Sequence, residues 1–409
     1  MFLDFSELFR DVESAWGSIF AVAQYWAPFV LGGVFWSLWL RYVRTKWISN
    51  IKWVMLEVKL PKDIYKSPLA MEVVLNSLYQ TQRGQWFEWY LMGRVKNWFS
   101  LELVSIEGRV HFFIRTNVIY KNIIEAQIYA QYSTAEIYEV PDYTKYVDYK
   151  GKEGEWSLWG LEYKLTKNDA YPIKTYVDYG LDKEGIKEEY KTDPITSLLE
   201  FLGSAGKDEQ LWIQILVQPT GKRFKKPGKW WGKRDWKDEG HDLVNGIIGK
   251  AQKRGGSDAG ASFVTLTKGE QNTISAIERS VSKLGFDCGI RGMYLFKGNT
   301  FNVANIFSLL GAFRQYGSND LNGFRTASAT SFIYPWQDFK DIRAVQLRKK
   351  MFSAYKRRSY FYAPHKRKPF VLNVEELATI YHFPGGVAET PTFGRIGSRK
   401  AEPPPDLPT

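Results

Sequence analysis

Apolar residues either alternate with polar ones or recur every three to four positions along most of the chain, and changes of period mark out its elements. Val54, Leu56, Val58 and Leu60 alternate with Met55, Glu57 and Lys59, the period of a half-buried strand. Ser67-Pro68 then opens a helix to residue 80, with proline at the first position, where its missing N–H costs nothing. Segments 99–106 and 109–115 face each other across Glu107-Gly108 as a hairpin. In the next helix Ile119, Ile123, Ala126 and Ala130 share a face, and 135–140 closes as a strand. The order is βαββαβ, the split-βαβ or ferredoxin-like pattern, in which two helices cover one face of an antiparallel sheet.

Beyond residue 142 the pattern loosens. A tyrosine-rich stretch over 143–191 carries an extended piece at 156–165. Asp193-Pro194, a cap followed by proline, starts a helix over 195–202, and 211–218 is a strand. Residues 221–260 are basic and turn-rich and look like an insertion into a second αβ unit. Thr267 and Glu270 fit a capping box, each satisfying an N–H that the first helical turn leaves orphaned. Ile274, Ile277, Val281 and Leu284 form the stripe of that helix, and Gly285 stops it. Residues 286–296 are extended, and Val303, Ile306, Phe307 and Leu310 mark another amphipathic helix; this second unit lacks an obvious central hairpin. A basic helix over 338–357, an extended aromatic run and a short helix at Glu375, Glu376 and Leu377 follow, before a tail ending in AEPPPDLPT. Three consecutive prolines favour a stiff, extended exit.

One segment has no polar face. Residues 19–40, IFAVAQYWAPFVLGGVFWSLWL, carry no charge, matching the roughly 20 residues that cross a hydrocarbon core. The preceding Asp4, Glu7, Asp11 and Glu13 are unlike the basic start of a cleaved signal peptide. Trp36, Trp39, Tyr42 and Trp47 suit an interfacial belt, and Arg41, Arg44, Lys46 and Lys52 crowd the C-terminal flank against Arg10 alone before it. The positive-inside rule therefore predicts a single-pass protein of the cytoplasmic (inner) membrane, N-terminus outside and body in the cytoplasm. The expected organisation is an N-terminus 1–18, a transmembrane helix 19–40, a first ferredoxin-like domain 51–142 and a connecting segment 143–209. A second αβ domain 210–334 with the basic insertion 221–260, a basic helical segment 335–388 and a proline-rich tail 389–409 complete it. The predicted fold class is α+β: one transmembrane helix, two tandem ferredoxin-like units and a basic, proline-ended C-terminal segment.

Charge narrows the partners. Lysine and arginine number 56 against 44 acids, a net +12 that favours anionic partners: lipid head groups, nucleic acid or acidic proteins. A single cysteine, Cys288, excludes an intramolecular disulfide and a zinc cluster of cysteine pairs. It fits a small buried strand residue, His111 a surface position and His382 a packing one, while Glu375 and Glu376 would point apart on their helix. A phosphate loop needs GxxxxGK[ST] between strand and helix. The nearest imitation, Gly203 to Lys207, is two residues short, has Asp208 where the hydroxyl belongs and follows a helix. No GxGxxG, GxSxG or HExxH occurs, so the expectation is a non-enzyme with no catalytic, cofactor or metal site.

Two basic clusters remain. Lys222, Arg223, Lys225, Lys226, Lys233 and Arg234 interleave with Trp230 and Trp231, a composition suited to anionic lipid or to stacking on single-stranded nucleic acid. Arg348, Lys349, Lys350, Lys356, Arg357 and Arg358, with Lys366, Arg367 and Lys368 beyond them, are placed to grip phosphates, though a charged helix face is commonly just solvated.

Several strings together resemble a known grouping: SPLAMEVVLNSLY, LELVSIEGRVHFFIRT followed by EAQIYAQY, DPITSLLEFL, LTKGEQNTISAIERSVSKLGFDCGIRGMYLFK, and VLNVEELATIYHFP before RIGSRKAEPPPDLP. They are similar to an uncharacterised family of membrane-anchored bacterial proteins found beside, or fused N-terminally to, type IV secretion or conjugation ATPases of the FtsK/HerA and coupling-protein kind. The resemblance runs from residue 51 to the end and implies an accessory module of a DNA- or protein-translocating machine. It implies as partners a hexameric ATPase on a separate chain and DNA, within an oligomeric complex. Glu402, Pro403, Pro404 and Pro405 stand where fused relatives lead into the ATPase, which makes them the expected docking point.

Overall fold

A computed structural model describes residues 5–61, 66–80, 84–183, 192–222, 224–225, 232–254, 266–298, 300–332 and 334–384. In chain order it runs α1 (Phe5–Ser49), β1 (Trp53–Lys59), α2 (Leu69–Ser77), α3 (Trp86–Tyr90), β2 (Phe99–Ile106), β3 (Arg109–Asn117), α4 (Lys121–Gln131) and β4 (Glu136–Glu139). Then come β5 (Trp156–Leu165), α5 (Pro194–Gly203), β6 (Glu209–Pro219), β7 (Phe224–Lys225), β8 (Lys233–Arg234), α6 (Trp236–Arg254) and α7 (Lys268–Ser282). The chain continues with β9 (Gly285–Lys297), α8 (Val303–Gly311), β10 (Phe324–Ala329), α9 (Ile342–Lys356), β11 (Phe370–Asn373) and α10 (Val374–Ile380). Two compact units result: Met1–Ile51 with Gln82–Val95, and Lys52–Thr81 with Lys96–Thr409.

In the first unit, Gly93 has φ 72°, and a Cβ there would lie 2.4 Å from the carbonyl carbon of Val43 on α1. Only a glycine allows both that backbone and that approach. Trp36 of α1 stacks on Tyr90 of α3 with ring centroids 6.1 Å apart. The predicted transmembrane helix is not supported: among the described residues no helix is long and apolar enough to cross a membrane. Residues 19–40 fall within α1, but freedom from charge is not hydropathy. Gln24, Tyr25, Trp26, Pro28, Gly32, Gly33 and Ser37 dilute its aliphatic residues. The single-pass topology and the inner-membrane location with the N-terminus outside rested on that span and fall with it.

In the second unit nine strands form one antiparallel sheet in the order β10-β5-β9-β6-β2-β3-β1-β4, with β11 also on β9. The first βαββαβ set contributes β4-β1-β3-β2, the order a split βαβ produces. The second set repeats it as β10-β5-β9-β6: β5, α5 and β6 stand for the first crossover, β9 for the returning strand, and α8 with β10 for the last pair. Here the hairpin is replaced by an excursion over 220–284 that carries α6 and α7. This second set begins at Trp156, inside the segment the sequence pattern treats as a connector, and not at 210. The two sets are also not separate bodies, since β2 pairs antiparallel with β6 from Phe99↔Val217 to Ile106↔Gln210 and fuses them into one sheet.

Period-two alternation gives the sheet two buried faces. Leu101, Leu103, Leu211, Ile213, Ile215, Ile290 and Tyr163 point to the face covered by α2, α4, α5, α8 and α10, in one continuous core. Val104, Trp212, Met293 and Leu158 point to the other, under Tyr143, Val147 and Tyr149 from the tyrosine-rich stretch and Met351, Phe352 and Tyr355 from α9. The capping box at Thr267 and Glu270 forms as predicted, and Asp193 caps α5. Two helices turn a different face inward from the expected one. α4 buries Ile124 and Ile128 and leaves Ile123 exposed, as is Ile119 in the turn before it; α8 buries Asn305 and Leu309 and leaves Val303 and Phe307 exposed. The turn-rich insertion holds a full helix, α6, whose Gly240 sits where a Cβ would be 2.4 Å from Val281 of α7.

Candidate functional site

The second face carries a row of polar residues where apolar ones are the rule. Five adjacent strands each contribute one polar side chain, and the register sets them side by side: Glu102↔Gln214, Gln214↔Arg291, Arg291↔Glu162 and Glu162↔Ser328, across β2, β6, β9, β5 and β10. Hydrogen bonds run the length of the row. Gln214 Nε2 donates to Glu102 Oε1 at 3.1 Å, Arg291 Nη1 to Gln214 Oε1 at 3.5 Å, Arg291 Nε to Glu162 Oε1 at 3.2 Å, and Ser328 Oγ to Glu162 Oε2 at 3.1 Å. Buried ions are tolerated only when paired and hydrogen-bonded, and this row meets that condition.

At the inner end Arg358 closes the row. Its Nε and Nη2 donate to Glu102 at 2.9 and 3.0 Å, and Nη1 and Nη2 donate to Asp142. Burial pushes the Glu102 carboxyl up, but Arg358 with hydrogen bonds from Ser100 and Tyr143 outweighs it and holds the group below the usual range; Asp142 is lowered by the same guanidinium against its own burial. The backbone brings Arg358 there at a cost. It follows the C-terminus of α9 with φ 49°, and the N–H groups of Arg358 and Ser359 return to the carbonyls of Tyr355 and Ala354. Glycine normally fills that left-handed position of the Schellman turn.

At the outer end the row opens into a cleft of about 120 Å³ between α9, β10 and the 359–368 segment. Arg367 Nε reaches Glu162 Oε2 at 3.1 Å while the rest of its guanidinium is part exposed. Arg291 stacks over Tyr360, 5.0 Å from the ring centroid, and its Nη2 donates to the Ser359 carbonyl at 2.7 Å. His365 Nε2 lies 3.3 Å from Ser353 Oγ, while Nδ1 is buried without a partner. Burial, then Arg291, Lys350, Arg357 and Arg367, push this imidazole down, so it is neutral at pH 7. Lys350, Lys366 and Thr330 complete the rim.

Of the residues singled out in sequence, Arg223, Lys226, Trp230, Trp231 and the tail residues Glu402, Pro403, Pro404 and Pro405 lie outside the described residues, as does the side chain of Lys225. Lys222 and Lys233 are exposed, and Arg234 of β8 pairs with Asp242. Lys349, Lys350 and Arg357 are exposed on or beside α9, with Arg348 half-buried next to the Tyr149 hydroxyl. Arg358 needs correcting: it is fully buried and paired, so it holds the fold and does not meet a ligand. Glu375 is paired with Lys283 at 2.8 Å and Arg279 at 3.3 Å, and His382 with Asp193 at 3.0 Å, both on the helix-covered side. Among the described residues no group of three histidine, cysteine or acidic side chains is placed to hold a metal ion. Sequence reasoning missed the row itself. Its only trace is one polar residue in the middle of each apolar strand: Glu102 in FSLELVSI, Gln214 in LWIQILV, Arg291 in GFDCGIRGMYLFK.

Residues 46–394 match the family described as a domain of unknown function, DUF8128. The chain belongs to the DUF8128 family. The match spans the whole polar row, the cleft and the α9 face, so all of these lie within the DUF8128 region. Among curated proteins none matches the chain.

Proposed function

We propose that this DUF8128 chain is a non-catalytic assembly component of a type IV secretion- or conjugation-like translocation machine, seating a separately encoded hexameric ATPase of the FtsK/HerA or coupling-protein kind. One observation carries the reading: Lys349, Lys350, Lys356, Arg357, Lys366 and Lys368 have no carboxylate partner among the described residues, while the charges beneath them are paired with one another. Unpaired cations mounted on a nine-stranded sheet suit an acidic partner surface, where charge complementarity sets register and on-rate. The partner's class is taken from the resemblance of the sequence strings to proteins found beside such ATPases, and is part of the proposal. Tagged protein purified from its own cells should bring such an ATPase with it at low salt and release it as salt rises. Reproducible recovery without any ATPase of that class contradicts the proposal.

The same unpaired cations favour a second reading, a nucleic-acid-binding module. Phosphate contacts predict a log affinity that falls linearly with log salt, by roughly 0.9 per phosphate neutralised on duplex DNA. A filter-binding titration decides it, and no binding at low salt removes it.

A further inference from the structure

We propose that the cleft at the outer end of the polar row is a binding site for a single phosphate group, with Arg367 as its principal ligand and Lys350, Lys366 and Thr330 around it. This goes beyond the platform role and does not depend on the ATPase.

Charge points to an anion first. Arg291, Lys350, Lys366 and Arg367 line the cleft against one carboxylate, Glu162, which already serves both arginines. The excess positive charge surrounds a partly enclosed space, where Coulomb interactions are less screened than on open surface. The donors are free in the right direction. Nε of Arg367 is ion-paired with Glu162 Oε2 at 3.1 Å, while the two Nη groups have no partner among the described residues. Those two nitrogens form the fork that grips a tetrahedral oxyanion at two oxygens. Thr330 Oγ1 accepts from the Gly160 N–H at 3.0 Å, which leaves its own proton to donate. Burial first, and then Arg291, Lys350, Arg357 and Arg367, lower the His365 imidazole, and its buried Nδ1 has no partner among the described residues.

Size limits the ligand. About 120 Å³ holds a few waters or one tetrahedral oxyanion and leaves a nucleoside outside. The recognised chemistry is therefore the phosphate group itself, whether free or at the end of a nucleotide.

The test is calorimetric titration of the full chain at low ionic strength with inorganic phosphate, AMP and adenosine. Phosphate and AMP should bind with similar affinity and adenosine should not. Arg367→Ala should weaken phosphate binding about tenfold or more, the loss of a charge-assisted hydrogen bond, with Arg367→Lys in between. Arg367 is part exposed, so both variants should melt with the wild type, and Lys145→Ala, at an exposed lysine outside the cleft, should bind normally. Absence of phosphate binding, binding of AMP without phosphate, or equal weakening by Lys145→Ala each overturns the proposal. Because none of these readouts contains an ATPase, failure here leaves the platform reading standing, and the converse holds.

Discussion

Two residues show how much of this structure depends on single ionised groups. Arg358 occupies a left-handed backbone position at a strain of roughly 1–2 kcal/mol, which its bonds to Glu102 and Asp142 offset. Arg358→Ala leaves Glu102 buried without its counter-ion and is expected to destabilise the fold by about 3–5 kcal/mol. Arg358→Gly should be milder by about 1 kcal/mol, because glycine relieves the backbone, and the exposed Arg357→Ala should stay within about 0.5 kcal/mol. Urea unfolding of the three variants separates the backbone contribution from the ionic one. Glu376 makes the second case. Burial pushes its carboxyl up to about 8, although Oε2 and Oε1 accept from the Asn373 and Ile173 N–H groups. Its folded value lies above the unfolded 4.5, so its contribution is complete below 4.5 and is lost as pH rises through about 8. Asp193, Glu102 and Asp142 are depressed instead, and what they contribute is lost as pH falls. Melting temperature should therefore drop between pH 7 and 9 in the wild type and stay flatter in Glu376→Gln. Parallel curves for the two proteins contradict this assignment.

At the scale of elements, strands were legible and faces were less so. Alternation in β1 and β3 is plain, because one polar or apolar choice per position suffices to write it, and β2 and β6 read as short apolar runs. α4 and α8 carry apolar residues on more than one side, so a four-residue spacing picks a stripe without saying which stripe meets the sheet. α6 hides behind Gly240, Gly246 and Gly249 and its charges, although Gly240 is there because α7 comes so close. The polar row is written one residue per strand. Nothing in the spacing of Glu102, Glu162, Gln214 and Arg291 links them until register aligns the strands. Two glycines on this face make a prediction about the row's cover. A Cβ at Gly289 would lie 2.4 Å from the Tyr360 ring, which flanks Arg291, whereas one at Gly160 would meet the flexible Met351 Sδ at 2.5 Å. Gly289→Ala should cost about 1–3 kcal/mol by overpacking and Gly160→Ala less, as read by thermal unfolding. Equal losses would show that Tyr360 is not the constraint.

For the whole molecule, the sheet joins two copies of one strand order through β2 and β6, and the seam falls at the inner end of the polar row, between Glu102 and Gln214. This explains why the second strand set is hard to see in the sequence: its first strand lies in the tyrosine-rich stretch, and its hairpin has been opened to admit α6 and α7. The expected anchor is not supported, because among the described residues Gln24, Tyr25, Trp26 and Pro28 dilute the apolar run and no helix is long and apolar enough to cross a membrane. What the arrangement provides is a broad, stiff backing for α9 and for the cations beside it. The most direct test compares the wild type with the triple variant Lys349→Glu, Lys350→Glu and Arg357→Glu in a quantitative pull-down of the translocation ATPase, with melting temperatures measured alongside. The account predicts unchanged melting and loss of most of the captured ATPase, and undiminished capture by a folded variant would contradict it.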